Sequence, residues 1–279
     1  MVHPGQPFEG YLVETLLGRG GEAVVYRARS ADPAHPAGAG SPATPGVVAL
    51  KVLDDAHRDL GCTARLAREF RLAARLRHPH IVEVYDHGPF WMAMQYVDGG
   101  NATSLPTLDD RLAALHQIAA ALDHAHRDGV VHNDVKPTNI LVHQNFSRDG
   151  AVLIDFGVAY VLAEDVWHRP SRLMASLPYA APELLQGRLP QAATDEYGLA
   201  CTALELITGR TPFTGENPLA LVDAHLHLPP PEASRQFSWL SRTFDKVLAR
   251  AIAKDPDRRY ESCTEMMRHV EDAVRRSGQ

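Results

Sequence analysis

The segment Val131–Val142, VHNDVKPTNILV, carries His132, Asp134, Lys136 and Asn139 in the spacing H-x-D-x-K-x-x-N and ends in an apolar run, Ile140–Val142. Thirteen residues after Val142, Asp155-Phe156-Gly157 follows a second apolar run, Ala151–Ile154. Each run reads as a short strand, so two loops rich in acids and amides sit at strand ends. Upstream, Leu108–Arg127 puts Leu112, Leu115, Ile118, Ala119 and Leu122 on one stripe, the period of a helix with one buried face. Downstream, Thr194–Thr208 is apolar on most sides, which predicts a helix in the interior. Phe244–Ala253 and Cys263–Arg276 predict the closing helices.

The N-terminal third has another texture. Tyr11–Leu17 and Ala23–Ala28 flank Gly18-Arg19-Gly20-Gly21 and predict a strand hairpin. Ser30–Gly46, SADPAHPAGAGSPATPG, is built almost wholly of Ala, Gly, Pro and Ser and predicts a mobile surface insertion. Val47–Leu53 is an apolar strand interrupted by Lys51. Cys62–Leu76 has Leu66, Phe70, Ala73 and Leu76 at helical spacing with arginines outside, and His78-Pro79 stops it. Ile81–Asp86 and Phe90–Val97 predict two further strands before Asp98-Gly99-Gly100 breaks the pattern. The fold class is therefore α+β, a small β-rich part with one main helix followed by a larger helical part.

Composition sets the bounds. The 279 residues are 45% apolar and 22% charged, ordinary for a chain with a sizeable core. The net charge of −6, from 28 basic and 34 acidic residues, gives no reason to expect a nucleic-acid partner. No window reaches the roughly 20 apolar residues that span a bilayer; the best, Tyr197–Ile207, contains Glu205. MVHPGQPFEG at the start lacks the apolar centre of a secretory leader. Three cysteines without a CxxC pair predict a reduced, cytoplasmic setting.

In type, order and spacing, these motifs resemble the protein-kinase superfamily, and within it the bacterial eukaryotic-like (Hanks-type) Ser/Thr kinases, from about Tyr11 to Val270. The resemblance implies a two-lobed fold over 11–273, with an N-lobe at 11–96 containing the 30–46 insertion and a C-lobe at 97–273. It implies ATP and Mg²⁺ (or Mn²⁺) as cofactors and phosphoryl transfer to protein hydroxyls. That reaction spreads charge over phosphate oxygens, so it needs positioning and electrostatic stabilisation above all. Asp134 maps to the residue that orients and deprotonates the acceptor hydroxyl, Lys136 to the cation at the γ-phosphoryl, and Asn139 and Asp155 to the metal ligands. Val48-Ala49-Leu50-Lys51 matches the V-A-I-K strand, and Glu69 is the expected partner of Lys51. Leu17, Gly18, Gly20 and Gly21 map to the glycine-rich phosphate loop, with Ala23 at its third glycine position. Val25, Ala49 and Leu141 map to the adenine sandwich, Met94 to the gate behind it, and Gln95 to Val97 to the hinge. Ala73, Val84, His132 and Phe156 map to the stacked spine of an assembled kinase, with Gly157 completing Asp-Phe-Gly. Ala181-Pro182-Glu183 closes the activation segment, and Glu183 is expected to pair with Arg259. Asp195 is expected to hold the backbone around His132.

Two departures matter. Asn133 replaces the arginine that, in the family, reads a phosphorylated activation segment, and Val158–Ala175 contains Ser171 but no threonine. The expectation is a kinase that does not depend on activation-segment phosphorylation, with order supplied by packing or by a regulatory protein. Ser176 keeps a hydroxyl that can bridge Asp134 and Lys136. Candidate phosphosites are Ser171, Ser176, Ser41 and Thr44, with Ser30 beside the insertion. A pseudokinase or scaffold that binds ATP with little transfer is the alternative. A small-molecule phosphotransferase of related fold is disfavoured by Lys136 and by Ala181-Pro182-Glu183, and the same lysine disfavours tyrosine as acceptor.

Overall fold

The computed structural model describes residues 2–31, 46–162 and 174–276. Ser41, Thr44 and Ser171, like most of the 30–46 insertion, lie outside the described residues. The chain divides into two compact units, Met1–Asp98 and Gly99–Gln279.

The first unit is a six-stranded antiparallel sheet with one α-helix. Its strands are β1 (Pro7–Phe8), β2 (Tyr11–Arg19), β3 (Ala23–Ser30), β4 (Val47–Leu53), β5 (Val84–Gly88) and β6 (Trp91–Gln95), in the order β1-β2-β3-β4-β6-β5. Strand alternation divides the side chains between two faces. The register sets Val24 opposite Val52, Tyr26 opposite Leu50 and Ala28 opposite Val48, and these form a core with Trp91 and Ala93. Val2 and Phe8 pack against that core, Tyr26 Oη donates to the Val2 carbonyl at 2.9 Å, and Trp91 meets both Phe8 and Tyr11 edge-on. The first residues thus cover one face of the sheet. On the opposite face, Val25 stands opposite Lys51, and Ala49 opposite Met94.

Helix α1 (Leu60–Arg75) begins two residues earlier than the periodicity predicts because Asp59 caps it, accepting from the Gly61 and Cys62 amides. β5 starts at Val84 rather than Ile81; Ile81 and Val82 are buried but lie ahead of the ladder.

The second unit is mainly helical. Helix α2 (Leu108–Arg127) has the predicted bounds, with Thr107 capping it and Asp109 and Asp110 in its first turn. Then come β7 (Val130–Val131), β8 (Ile140–Val142), the single turn α3 (Phe146–Asp149), β9 (Ala151–Leu153) and β10 (Tyr160–Val161). β8 pairs with β9 and β7 with β10, both antiparallel. After the short α4 (Pro182–Leu185) follow α5 (Ala192–Thr208), α6 (Pro218–His227), α7 (Arg242–Ala251) and α8 (Cys263–Arg275). α5 is buried nearly throughout and ends at Gly209, whose φ of 75° suits glycine. Among the described residues no helix is long and apolar enough to cross a membrane.

α5 buries Glu196, whose Oε1 accepts the Tyr260 amide at 2.8 Å. Burial pushes its pKa up to about 8, against the pull of the Tyr260 amide, Arg259 and Arg250. A carboxyl that stays protonated when folded but ionises when unfolded costs stability as pH rises from its unfolded pKa toward about 8. Glu196→Gln, which keeps an acceptor for Tyr260, is therefore expected to gain stability relative to the parent between pH 5 and pH 8, as checked by urea unfolding at both. A constant difference across that range contradicts the burial argument.

Candidate active site

In the second unit the loop between β7 and β8 is held from outside by α5. Asp195, in the first turn of α5, accepts the His132 amide on Oδ2 and the Asn133 amide on Oδ1, each at 2.7 Å. His126 Nε2 lies 2.8 Å from the same Oδ2. The carboxylate is 1% exposed, so these bonds replace its hydration. His132 is fixed on both nitrogens: Nδ1 accepts the Asp134 amide at 3.2 Å, which leaves Nε2 to donate to the Ile154 carbonyl at 3.0 Å. Its ring meets Phe156 edge-on at 4.8 Å.

Asp134 is the centre of the loop. Its Oδ2 accepts Lys136 Nζ at 2.7 Å and Asn139 Nδ2 at 2.9 Å, and its Oδ1 accepts the Ser176 hydroxyl. Lys136 Nζ also donates to Ser176 Oγ at 2.8 Å, and Asn139 Nδ2 to the Asp134 carbonyl at 2.8 Å. The single turn Pro137–Asn139 brings Asn139 back onto Asp134. Because Asn139 spends its NH₂ on Asp134, the amide oxygen is the atom it could offer a cation. Asn133 and Asp155 both have positive φ, 66° and 68°, a cost of order 1–3 kcal/mol each for residues other than glycine. Asn133 Nδ2 donates to the Val158 carbonyl at 3.2 Å, which joins this loop to the segment after Asp155-Phe156-Gly157.

Further along, Glu183 and Arg259 form a buried two-pronged pair, with Nη1 on Oε1 and Nη2 on Oε2, both at 2.8 Å. Thr194 Oγ1 adds a bond to Glu183 at 2.9 Å, and Arg259 also reaches the Ala193 and Ala253 carbonyls. Leu141 lies half-buried on β8, bridged to Asn101.

In the first unit, Lys51 Nζ on β4 meets both oxygens of Glu69 on α1, at 2.7 and 2.8 Å. Glu69 is 5% exposed, so the pair is well shielded. Val25, Ala49 and Met94 share the face of Lys51. Leu17, Gly18, Gly20 and Gly21 sit where β2 turns into β3, closed by a 2.8 Å bond from the Gly20 amide to the Ala23 carbonyl. Gln95 ends β6, its amide on the Glu83 carbonyl, and buried Val97 follows.

His126 and Thr194 escaped sequence reasoning. His126 reads as a polar residue near the end of α2, and nothing local ties it to a carboxylate 69 residues away. Thr194 reads only as a helix start.

The family description "Protein kinase domain" matches residues 11–270. Among curated proteins of Mycobacterium tuberculosis, the chain is 40% identical to serine/threonine-protein kinase PknJ over 94% of its own length and 45% of the relative's. It is 37% identical to PknF over 95% of its length and 56% of the relative's, and 34% identical to PknH over 97% and 43%. The chain thus spans about half the length of the curated relatives it matches.

Removing one partner of a buried ion pair strands the other charge, at a cost of about 3–5 kcal/mol. Arg259→Met is expected to lose that much in urea unfolding. The double replacement Arg259→Met with Glu183→Leu is expected to recover a large part of the loss. A single substitution that costs under about 1 kcal/mol would mean the pair is solvated.

Proposed function

The chain belongs to the protein kinase family, and on that premise we propose that it is a Ser/Thr protein kinase that moves the γ-phosphoryl group of ATP onto hydroxyls of protein substrates. The observation that carries this reading is the convergence on Asp134. Its Oδ1 already accepts a hydrogen bond from a serine hydroxyl, that of Ser176, with Lys136 Nζ on the same hydroxyl oxygen. A substrate serine or threonine presented there would meet the same two groups. Asp134 would orient the hydroxyl and take its proton as the O–P bond forms, while Lys136 would offset charge on the transferring group. Lys136 and Asn139 hold the carboxylate in one orientation beforehand, so little reorganisation is left for the reaction itself.

The family implies ATP and a divalent cation. The Asn139 amide oxygen and the Asp155 carboxylate are hard oxygen donors, the type that Mg²⁺ or Mn²⁺ takes alongside phosphate oxygens. When bound, the ion would neutralise charge on those oxygens. We assign Lys51, oriented by Glu69, to the α- and β-phosphates, and Gly18, Gly20 and Gly21 to backbone contacts with them. Val25 and Ala49 supply an apolar face for the adenine, with Met94 as the gate behind it.

We further propose that activity does not require activation-segment phosphorylation. Asn133 has no charge with which to read a phosphate, and its bond to the Val158 carbonyl supports a loop tied by a neutral contact instead. Arg169, Arg172, Trp167 and Leu173, the segment's arginines and bulky side chains, lie outside the described residues.

A phosphoryl-transfer assay with labelled ATP, Mg²⁺ and a generic protein acceptor tests both points. Lys51→Met, Asp134→Ala and Asp155→Asn are each expected to lower transfer by at least about a hundredfold, with unchanged circular dichroism. Transfer at parental rate in any of them would refute the mechanism. Phosphatase treatment and Ser171→Ala are expected to leave the initial rate within about twofold. A loss of tenfold or more, about 1.4 kcal/mol of transition-state stabilisation, would show a phosphorylation switch.

A further inference from the structure

In the first unit a second ion pair lies one turn from the Lys51–Glu69 pair on the same helix. Arg65 Nη2 donates to both carboxylate oxygens of Glu22, at 3.1 and 3.0 Å, across 43 residues of sequence. Glu22 is in the turn Gly18–Ala23, and Arg65 is four residues before Glu69 on α1, a spacing that puts both on one face. Each end is anchored. The Glu22 carbonyl accepts the Asp54 amide at 3.0 Å, and Arg65 Nη2 also lies 3.0 Å from Cys62 Sγ.

The turn itself is poorly restrained by packing. A Cβ built on Gly18 or Gly21 would have no atom within 4 Å, so neither backbone is crowded by its surroundings. Glycine also loses the most conformational freedom on being fixed. A glycine-rich turn left to itself would therefore pay most of its ordering cost when a ligand binds. The Glu22–Arg65 contact closes a circuit from the turn to α1, from Glu69 to Lys51 on β4, and through the β4–β3 ladder back to the turn.

Resting on the proposed nucleotide chemistry, we infer that Glu22 and Arg65 are positioning residues that clip the glycine-rich turn to the helix carrying Glu69 and so preorganise the turn's backbone, the Gly21 amide included, for nucleotide phosphates. Neither side chain touches the nucleotide; both act through the turn. As a half-buried pair still open to solvent it would add little to global stability. Its effect falls on binding.

For Glu22 the sign of the effect discriminates. Removing an acid from beside a polyanion should by Coulomb's law tighten nucleotide binding. Loss of a clip should weaken it. With the full chain, Mg²⁺ and a non-hydrolysable ATP analogue in calorimetry, Glu22→Gln and Arg65→Ala are each expected to raise Kd about fivefold, which is about 1 kcal/mol at 1.4 kcal/mol per decade. The charge swap Glu22→Arg with Arg65→Glu is expected to restore Kd to within about twofold of the parent. In the nucleotide-free chain, amide hydrogen exchange over residues 18–23 is expected to speed up in the single variants and slow again in the swap. Glu22→Gln is nearly isosteric, so it tests the clip even if Arg65→Ala folds poorly. Unchanged or tighter binding in Glu22→Gln, or a swap that fails to recover, overturns the clip. A parental chain that binds no nucleotide refutes the kinase reading instead, and the clip is then judged by exchange alone, where unchanged rates overturn it.

Discussion

The second unit depends on one buried carboxylate. Asp195 has two oxygens and three donors around them: the amides of His132 and Asn133 and the His126 ring. An ionised group this deeply buried is tolerable only when fully hydrogen-bonded, and here its donors belong to the backbone that leads into Asp134. The requirement works in both directions. The carboxylate needs the loop amides as much as the loop needs the carboxylate, so α5, the end of α2 and the loop after β7 form one cooperative piece. Glu183 and Arg259 repeat the logic beside the first turn of α5, where Thr194 bonds Glu183 and Arg259 reaches the Ala193 carbonyl.

With the loop anchored, strain can be held where it is useful. Asn133 and Asp155 both adopt left-handed backbone, a conformation asparagine and aspartate tolerate better than most residues. Asn133 is fixed by Asp195 through its amide and by Val158 through its side chain. The two strained positions flank the network around Asp134. Their cost is covered by the surrounding hydrogen bonds rather than by local preference.

Much of this was legible in the residues. β4 and α2 have the bounds their patterns predict, because a short apolar strand and a capped, one-faced helix are each self-evident locally. α6 was missed: Pro218–His227 is short, Leu219 is almost fully exposed, and only Ala224 and His225 are buried, so it has no apolar stripe to read. In the site, the residues set by spacing, from Asp134 to Asp155, could be named in advance. Contacts made by side chains remote in sequence could not be read from spacing, and His126 on Asp195 and Glu22 on Arg65 are of this kind. Lys51 with Glu69, and Glu183 with Arg259, were foreseen only because the motif order resembles a family; charge and periodicity leave them as isolated ions.

The cover formed by the first residues bears on where the folded unit starts. The family match begins at Tyr11, yet β1 pairs with β2 ahead of it, and Val2 and Phe8 lie on the core of the sheet. A chain trimmed to Tyr11 would leave β2 as an open edge and bare the aromatic surface of Tyr11, Tyr26 and Trp91 to water. Unpaired strand edges beside exposed aromatic surface are where sheets recruit one another. Such a chain would keep every residue assigned to chemistry and still be prone to self-association, so the boundary that matters for handling the protein lies before its first recognisable motif.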